Sequence, residues 1–443
     1  MNTPSTAEPL RPSAAAAPDR PEPRRLRVLL SAFASSPYSG SEPGVGWNVA
    51  YHLAAHHDVT LLCFPGFGRD AVAAYDRFVA EHGPVAGLTV RWLEQPPLSK
   101  LLQREGLPFR AVYYRGYAAW QKAALRAAQA MHRAEPFDLV HHVNIIGYRE
   151  PGYLWQMGLP FVWGPIAGAA TIPRPFFSML SPKDRAFYGL RNRLNRRTME
   201  RSRRCRRAAA AAEKIWAVDR LNQRMVERYF DAPADVMIES GAHPTTQGFV
   251  RRYDGQRPLN LLWSGLHEGR KCLPLLLHSL ARLRDAGRAF TLTILSRGPE
   301  TQNWRALARR LGLDTQLEWA GQLAYEQALA KTRDADLFVL SSLQEGTPHV
   351  VMEALASGLP VLCHDACGMG IAVDKSCGLK IPLTDPETSI AGFAAAIGSL
   401  IDTPERIAEL SAGALARAEA LSWGRKAADM AQAYRDILGA RAE

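Results

Sequence analysis

The chain is poor in cysteine, with six residues (Cys63, Cys205, Cys272, Cys363, Cys367 and Cys377) scattered over 443 positions. That density is too low and the spacing too irregular for a disulfide framework, so the thiols are expected to stay reduced, as small apolar side chains in a cytoplasm. Long apolar runs are missing too. The longest, such as residues 28–30 or 208–212, fall far short of the ~20 residues a membrane span needs, so no transmembrane helix is expected. Acids are in deficit, 43 Asp and Glu against 54 Lys and Arg, and the excess is local. From Lys183 to Arg207, eleven cations face only Asp184 and Glu200. Residues 1–25 hold six prolines, many alanines and no apolar stretch, which reads as a disordered tail and not as a targeting peptide.

What is present is a globular composition. Apolar residues make up 47%, enough to fill real cores, and the length suggests two domains. Short apolar runs at 26–30, 59–64, 89–93, 139–143, 161–163 and 214–218 alternate with helical stretches, the first of them expected at 47–55. A second series follows at 259–263, 290–295, 317–319, 337–340 and 360–363, with helices at 274–286 and 303–311 among others. Strand, loop, helix, strand, repeated, is the grammar of a parallel sheet. It predicts an α/β protein of two doubly wound, Rossmann-like domains, 26–245 and 258–415. The joint falls in the Gly-, Pro- and charge-rich stretch 240–258. Ligands of such folds bind outside the carboxyl ends of the strands, which makes a cleft between the domains the expected active site.

The most informative segment runs from Ser341 to Val361. A buried strand enters a polar loop, Thr347 can cap a helix, Pro348 suits its first position, and Gly358 ends it. The helix N-terminus, equivalent to about half a positive charge, favours a phosphate. Glu345 in the loop and Glu353 in the helix would repel that phosphate, so they fit better as hydrogen-bond acceptors from sugar hydroxyls. A sugar joined to a phosphate is the ligand that needs both. Residues 263–273, Trp263-Ser264-Gly265-Leu266-His267-Glu268-Gly269-Arg270-Lys271-Cys272-Leu273, follow the first strand of the second series. Adjacent cations at a strand end can clamp a diphosphate, and a solvated Arg-Lys turn is the alternative.

The 341–361 segment resembles the Glu-x7-Glu signature of glycosyltransferase family 4. The resemblance implies the two-domain GT-B fold, a C-terminal helix (416–443, after Leu421-Ser422-Trp423) that crosses back onto the first domain, and transfer with retention of anomeric configuration. It implies Glu345 on the donor sugar, Glu353 on the nucleotide ribose, and backbone amides at Gly346 and Thr347 on the diphosphate. Lys271 matches the family's lysine. Leu266 stands where its arginine would be, and Arg270 is the substitute. Gly265 falls at the glycine before that arginine. The donor is then a nucleotide diphosphate sugar, and no metal is expected, because cations and a helix dipole neutralise the leaving group.

In the first domain, the loop 38–47 carries Gly40, Glu42, Gly44 and Gly46. Its glycines either let backbone approach the donor or acceptor closely or make a structural turn. Relatives read Asp-x-Val-His-x-His where this chain has Asp138-Leu139-Val140-His141-His142-Val143. The usual second histidine is replaced by Val143, which leaves His141, His142 or Asn144 to compensate, His141 being the catalytic candidate, with a core histidine capping the strand as the other reading. Gly164 to Gly168 looks like the glycine loop of some exopolysaccharide glycosyltransferases. Asp334-Ala335-Asp336 superficially matches a metal-binding Asp-x-Asp, and Cys363, His364, Cys367 and Cys377 a zinc site of irregular spacing. Neither is expected to hold metal.

Residues 183–207 read as one helix with an arginine face and apolar or small residues at 187, 190, 194, 198, 202 and 205. Such a helix suits an anionic membrane surface and a lipid-linked glycan acceptor, or else a solvated face. Two other function classes fit the sequence less well. A nicotinamide-dependent oxidoreductase needs G-x-G-x-x-G with an acid about 20 residues on, but Val49 occupies the third glycine position and Asp58 is poorly placed. A nucleic-acid-binding protein would use the arginine helix, where only Phe187 and Tyr188 interleave. Both leave the paired glutamates unexplained, so no nucleic-acid partner is expected. The expected function is retaining hexosyl transfer to a glycan in bacterial surface polysaccharide synthesis, in the cytoplasm or on the inner face of its membrane.

Overall fold

The structure is a computed structural model and describes residues 24–66, 70–97, 110–244 and 248–442. Most of the N-terminal tail expected to be disordered lies outside the described residues. The first half runs β1 (Arg27–Ala32), α1 (Ser41–Leu53), β2 (Asp58–Cys63), α2 (Ala71–His82), β3 (Leu88–Trp92), α3 (Arg110–Ala134), β4 (Leu139–Asn144), β5 (Phe161–Ile166), α4 (Pro182–Arg201), α5 (Arg203–Ala210), β6 (Lys214–Ala217), α6 (Arg220–Phe230) and β7 (Asp235–Val236). The second runs β8 (Leu259–Ser264), α7 (Leu273–Asp285), β9 (Phe290–Leu295), α8 (Thr301–Arg310), β10 (Leu317–Gly321), α9 (Tyr325–Asp334), β11 (Leu337–Leu340), α10 (His349–Ala356), β12 (Val361–His364), α11 (Cys367–Ala372), β13 (Gly378–Ile381), α12 (Pro386–Asp402), α13 (Glu405–Ala420) and α14 (Trp423–Ala442).

Each half forms one parallel sheet, in the orders β3-β2-β1-β4-β5-β6-β7 and β10-β9-β8-β11-β12-β13. These are the same winding, and in each the order reverses next to the first strand of the half, between β1 and β4 and between β8 and β11. A reversal leaves a crevice at the carboxyl end of the sheet, because the two connections leave in opposite directions. The inner strands are mostly apolar and buried because helices cover both faces of each sheet, so Val28, Leu29 and Leu30 are all fully buried.

Helix α14 leaves the second half and packs Trp423, Ala427, Met430, Ala431 and Tyr434 into the core of the first sheet. Where it crosses, Ala242 exchanges backbone hydrogen bonds with Leu421 and Trp423 (2.9 and 3.2 Å). The chain between β5 and α4 makes the opposite excursion. Ile172, Phe176, Leu180 and Tyr188 are buried in the core of the second sheet, with Leu276 and Phe393. Among the described residues, no helix is long and apolar enough to cross a membrane.

The arginine-rich segment is two helices, not one. Ser202 ends α4 with extended backbone and its hydroxyl caps α5 by accepting from the Cys205 N–H. Nor do the regularly spaced apolar residues face inward. The buried side of α4 carries Tyr188, Asn195 and Met199, while Phe187, Leu190 and Leu194 are exposed.

Candidate active site

The crevice of the second sheet is bordered by the connections after β8 and β11, and these bring the expected cluster together. After β8 the chain makes a 3-10 turn at Gly269–Lys271. After β11 it forms the Ser341–Pro348 loop. The two are stitched by the Leu343 N–H donating to the Arg270 carbonyl (2.8 Å) and by Ser341 Oγ donating to the Lys271 carbonyl (3.1 Å). Glu345 then meets both cations: Arg270 Nη1 lies 2.7 Å from Oε2 and Lys271 Nζ 2.5 Å from Oε1. Arg270 also holds the Gln344 carbonyl (3.1 Å) and Glu268 (3.1 Å). The lysine stem lies across Gly265, whose hypothetical Cβ would sit 3.4 Å from Lys271 Cδ and Cε.

Burial alone would raise the Glu345 carboxyl, but Lys271 and, second, Arg270 overcome it and hold the group below the usual carboxylate range. Glu345 is thus held as a carboxylate between two cations, and such a cluster is costly to break one member at a time.

Helix α10 starts one residue later than the sequence suggests, with Pro348 at the N-cap and no side-chain cap. Thr347 is not the cap because its polar atoms are taken: its N–H and Oγ1 both donate to the Glu239 carboxylate (2.5 and 2.6 Å). Glu239 comes from the irregular connection between the two halves, after β7, and is buried. Its approach requires Gly346, where a Cβ would lie 2.2 Å from Glu239 Oε1. The glycine and amide expected to cradle a diphosphate thus serve a carboxylate of the same chain. Burial raises the Glu239 carboxyl, opposed by the Thr347 hydroxyl and amide, its own backbone and Lys426. Lys426 of α14 donates to the Ile238 carbonyl, and burial lowers it to about 8.

Glu353, on the second turn of α10, is solvent-exposed yet surrounded by protein walls, and that partial desolvation raises its carboxyl. It is the carboxylate of the group left open to a ligand.

The first sheet meets this loop at its own carboxyl end. Ile146 Cδ1, after β4, lies 3.6 Å from where a Gly346 Cβ would be, and Gln344 Nε2 donates to the Ala170 carbonyl. His349 Nδ1 sits 3.2 Å from Ser240 Oγ. Glu42, in the first turn of α1, accepts from the Ile146 N–H at 3.3 Å through Oε1. Its Oε2 is buried without a partner. Burial pushes its carboxyl up to about 8.

Three site candidates fall to packing. His141 is fully buried, with its ring nitrogens 2.6 Å from Tyr434 Oη and the Gly164 carbonyl. Helix α14 covers it, so it is a core histidine and not a catalytic one. Gly44 and Gly46 lie inside α1, which begins at Ser41 and not at residue 47. A Cβ at Gly44 would meet the Ser39 carbonyl at 2.3 Å and one at Gly46 the Ala34 carbonyl at 2.1 Å. They admit backbone, not ligand.

Asp336 of the Asp-x-Asp is buried at the amino end of β11. Arg257 grips it through both oxygens (2.6 and 2.8 Å) and the Asn260 N–H donates to it at 2.9 Å. His364 is satisfied by the Ser342 carbonyl and Ser389 Oγ. Among the described residues, no group of three or more His, Cys, Asp or Glu side chains could hold a metal.

A cavity of about 310 Å³ opens beside the Gly265–Lys271 turn, at the carboxyl ends of β8, β9 and β10. His267, Arg297, Arg305, Trp319 and Gln322 line it. The Arg305 guanidinium lies 5.3 Å from the centre of the Trp319 ring. A flat, apolar face beside hydrogen-bonding groups suits a planar heterocycle. Sequence reasoning missed this wall and missed Glu239. Their residues come from separate segments, with no spacing to announce them.

Residues 258–403, about a third of the chain, match the family of glycosyl transferases group 1. A D-inositol 3-phosphate glycosyltransferase from Streptomyces scabiei is 34% identical over 129 residues, 29% of this chain and 28% of its own length. The chain thus spans little more than a quarter of that relative. In fold the likeness covers both halves. Sucrose-phosphate synthase from Thermosynechococcus elongatus superposes with a TM-score of 0.63 at 17% identity, covering 94% of this chain and all of the other. Anabaena HepE in complex with UDP-glucose gives 0.54 at 14%, covering 92% and 100%. The chain has the GT-B fold of these proteins, and the match to group 1 glycosyl transferases is confined to residues 258–403 of its second half.

Proposed function

We propose that the protein is a retaining glycosyltransferase that moves a hexose from a nucleotide diphosphate sugar to a hydroxyl of a glycan, free or lipid-linked, in bacterial surface polysaccharide synthesis. The observation that carries this reading is the buried Glu345–Arg270–Lys271 cluster at the crevice of the matched domain. Residues 258–415 bind the donor, residues 26–245 present the acceptor, and 416–443 tie the two together. The pyrophosphate displaces Glu345 from part of its contact with Arg270 and Lys271, and the freed carboxylate turns to the sugar. Glu353 takes the ribose, and the heterocycle enters the cavity by Trp319. UDP-glucose is the first donor to test, because HepE binds it in the same fold.

Transfer proceeds on one face of the sugar. The bond from the anomeric carbon to the phosphate oxygen breaks and its electron pair leaves with the nucleotide diphosphate. The acceptor oxygen bonds to the same face, and its proton passes to the departing phosphate. Arg270 and Lys271 stabilise the charge that develops there, the role a metal has in other enzymes. Closure around the donor keeps water out and limits hydrolysis.

The test is a thermal-shift panel of UDP-, GDP- and dTDP-sugars on the wild type, Lys271→Ala and Glu353→Ala. One donor class should raise the wild-type melting temperature, and both variants should lose that response. A wild type indifferent to every nucleotide sugar overturns the reading.

A further inference from the structure

Helix α4 has two faces with unrelated jobs. Its inward face packs between the two halves and at its start touches the active-site turn. Asp184 lies against Gly269, where a Cβ would be 2.2 Å from Asp184 Oδ2, and Tyr188 is buried in the second core. Its outward face carries Lys183, Phe187, Leu190, Leu194, Arg197 and Arg201. Their spacing of 4, 3, 4, 3 and 4 places them in one stripe along the helix.

Phe187, Leu190 and Leu194 are 44%, 61% and 51% exposed, three of the eight large apolar side chains left open on the described surface. A single exposed leucine is ordinary, but three in a row between cations are not. Arg193, Arg196, Arg197 and Arg201 are exposed and form no ion pair among the described residues. The two acids of the helix fall roughly 60° beyond either edge of the stripe, and α5 adds exposed Arg203 and Arg207.

We propose that this stripe docks on an anionic lipid bilayer, with Phe187, Leu190 and Leu194 entering the headgroup layer and the flanking cations resting on lipid phosphates. Charge complementarity selects the occupant. Nucleic acid would use the arginines but has no use for an aliphatic row, and a neutral protein partner would leave the unpaired cations uncompensated. Because the other face of the same helix touches the Gly269–Lys271 turn, docking sets the mouth of the cleft beside the membrane, where a lipid-linked acceptor would be. Only that last step rests on the proposed glycosyl transfer.

Flotation of the full-length protein with phosphatidylglycerol–phosphatidylcholine vesicles and with pure phosphatidylcholine tests the docking without donor or acceptor. Its failure therefore leaves the transferase reading standing, and a failed donor panel leaves docking standing. The wild type should float only with the anionic vesicles. A Phe187→Ser/Leu190→Ser/Leu194→Ser variant and an Arg193→Gln/Arg197→Gln/Arg201→Gln variant should each partition about tenfold more weakly.

Leu190→Cys carrying an environment-sensitive fluorophore gives a second readout should a triple variant fail to fold. Its emission should shift to the blue with anionic vesicles alone. Absence of lipid binding overturns the proposal. So does binding that the serine variant retains in full while a DNA duplex competes with it, because that marks a polyanion patch. An unshifted fluorophore overturns it equally.

Discussion

The Glu42 carboxyl offers a sharp test of the interdomain electrostatics. Burial raises it from 4.5 to about 8, the Ile146 N–H opposes the rise, and the nearby Glu239 charge adds to it. In the unfolded chain it titrates at its ordinary value. Between those two values the folded protein holds a proton that the unfolded one has released, so stability falls as pH rises from about 4.5 to about 8. At 1.36 kcal/mol per pH step, the ceiling is about 5 kcal/mol. Glu42→Gln keeps the shape of the protonated acid and cannot ionise. Urea unfolding of both proteins at intervals from pH 5 to 8.5 should give similar stabilities at pH 5 and a variant several kcal/mol more stable at pH 8.5. Buried histidines titrate in the same range with the opposite sign, so the difference between the two curves is the quantity to read. Curves that stay parallel within about 0.5 kcal/mol over that range refute a buried protonated Glu42.

Two more outcomes are expected. Burial holds His52, His142 and His364 at about 4 and His141 at about 3. Each lies below its unfolded value of 6.5, so its contribution is complete above that pH and is lost as pH falls toward 4. Each histidine adds up to about 1.4 kcal/mol per pH unit, and urea midpoints at pH 7, 6 and 5 should drop steeply; a flat series would contradict the packing. Gly346→Ala should force Glu239 off Thr347 and cost about 2–4 kcal/mol, since a buried N–H and hydroxyl lose their acceptor. In a double-mutant cycle with Glu239→Ala, the second substitution should add much less than the first. Full additivity would mean that the two residues do not touch.

The fold was legible because buried parallel strands are apolar on both faces and cannot hide. The strands that escaped are the ones for which this fails. β7 is two residues long at a sheet edge, and β13, Gly378–Ile381, ends a sheet with only part of its surface covered. Glu345, Arg270 and Lys271 were legible because two short connections border one crevice, so linear motifs became neighbours. Gly44, Gly46 and His141 misled for a common reason. A glycine that admits a ligand and one that admits a carbonyl carry the same letter, and so do a histidine at a strand end that faces the cleft and one that α14 covers. Glu239 had no signal. It joins the site from an irregular connection after β7, and its partner Gly346 already had an explanation.

The exchange of segments between the halves constrains how the cleft can open. Ile172, Phe176, Leu180 and Tyr188 come from the first half by sequence but are buried with the second sheet. At ~1.5–3 kcal/mol for each large apolar side chain, pulling the four out would cost about 6–12 kcal/mol, more than a functional motion can spend when whole domains are stable by a comparable amount. The segment must therefore travel with the second sheet whenever the two halves separate. Its root is Gly168, at φ +105, a backbone conformation that other residues adopt only under strain. Helix α14 is bound in the reverse sense, to the first core. Opening thus requires bending at four places: near Gly168, within α4 between Tyr188 in the second core and Met199 in the first, at the 239–242 connection, which Glu239 on Thr347 spans, and at Leu421–Ser422. The loop that carries Glu345 is fastened directly to the 239–242 bend, through the Thr347 N–H and hydroxyl on the Glu239 carboxylate.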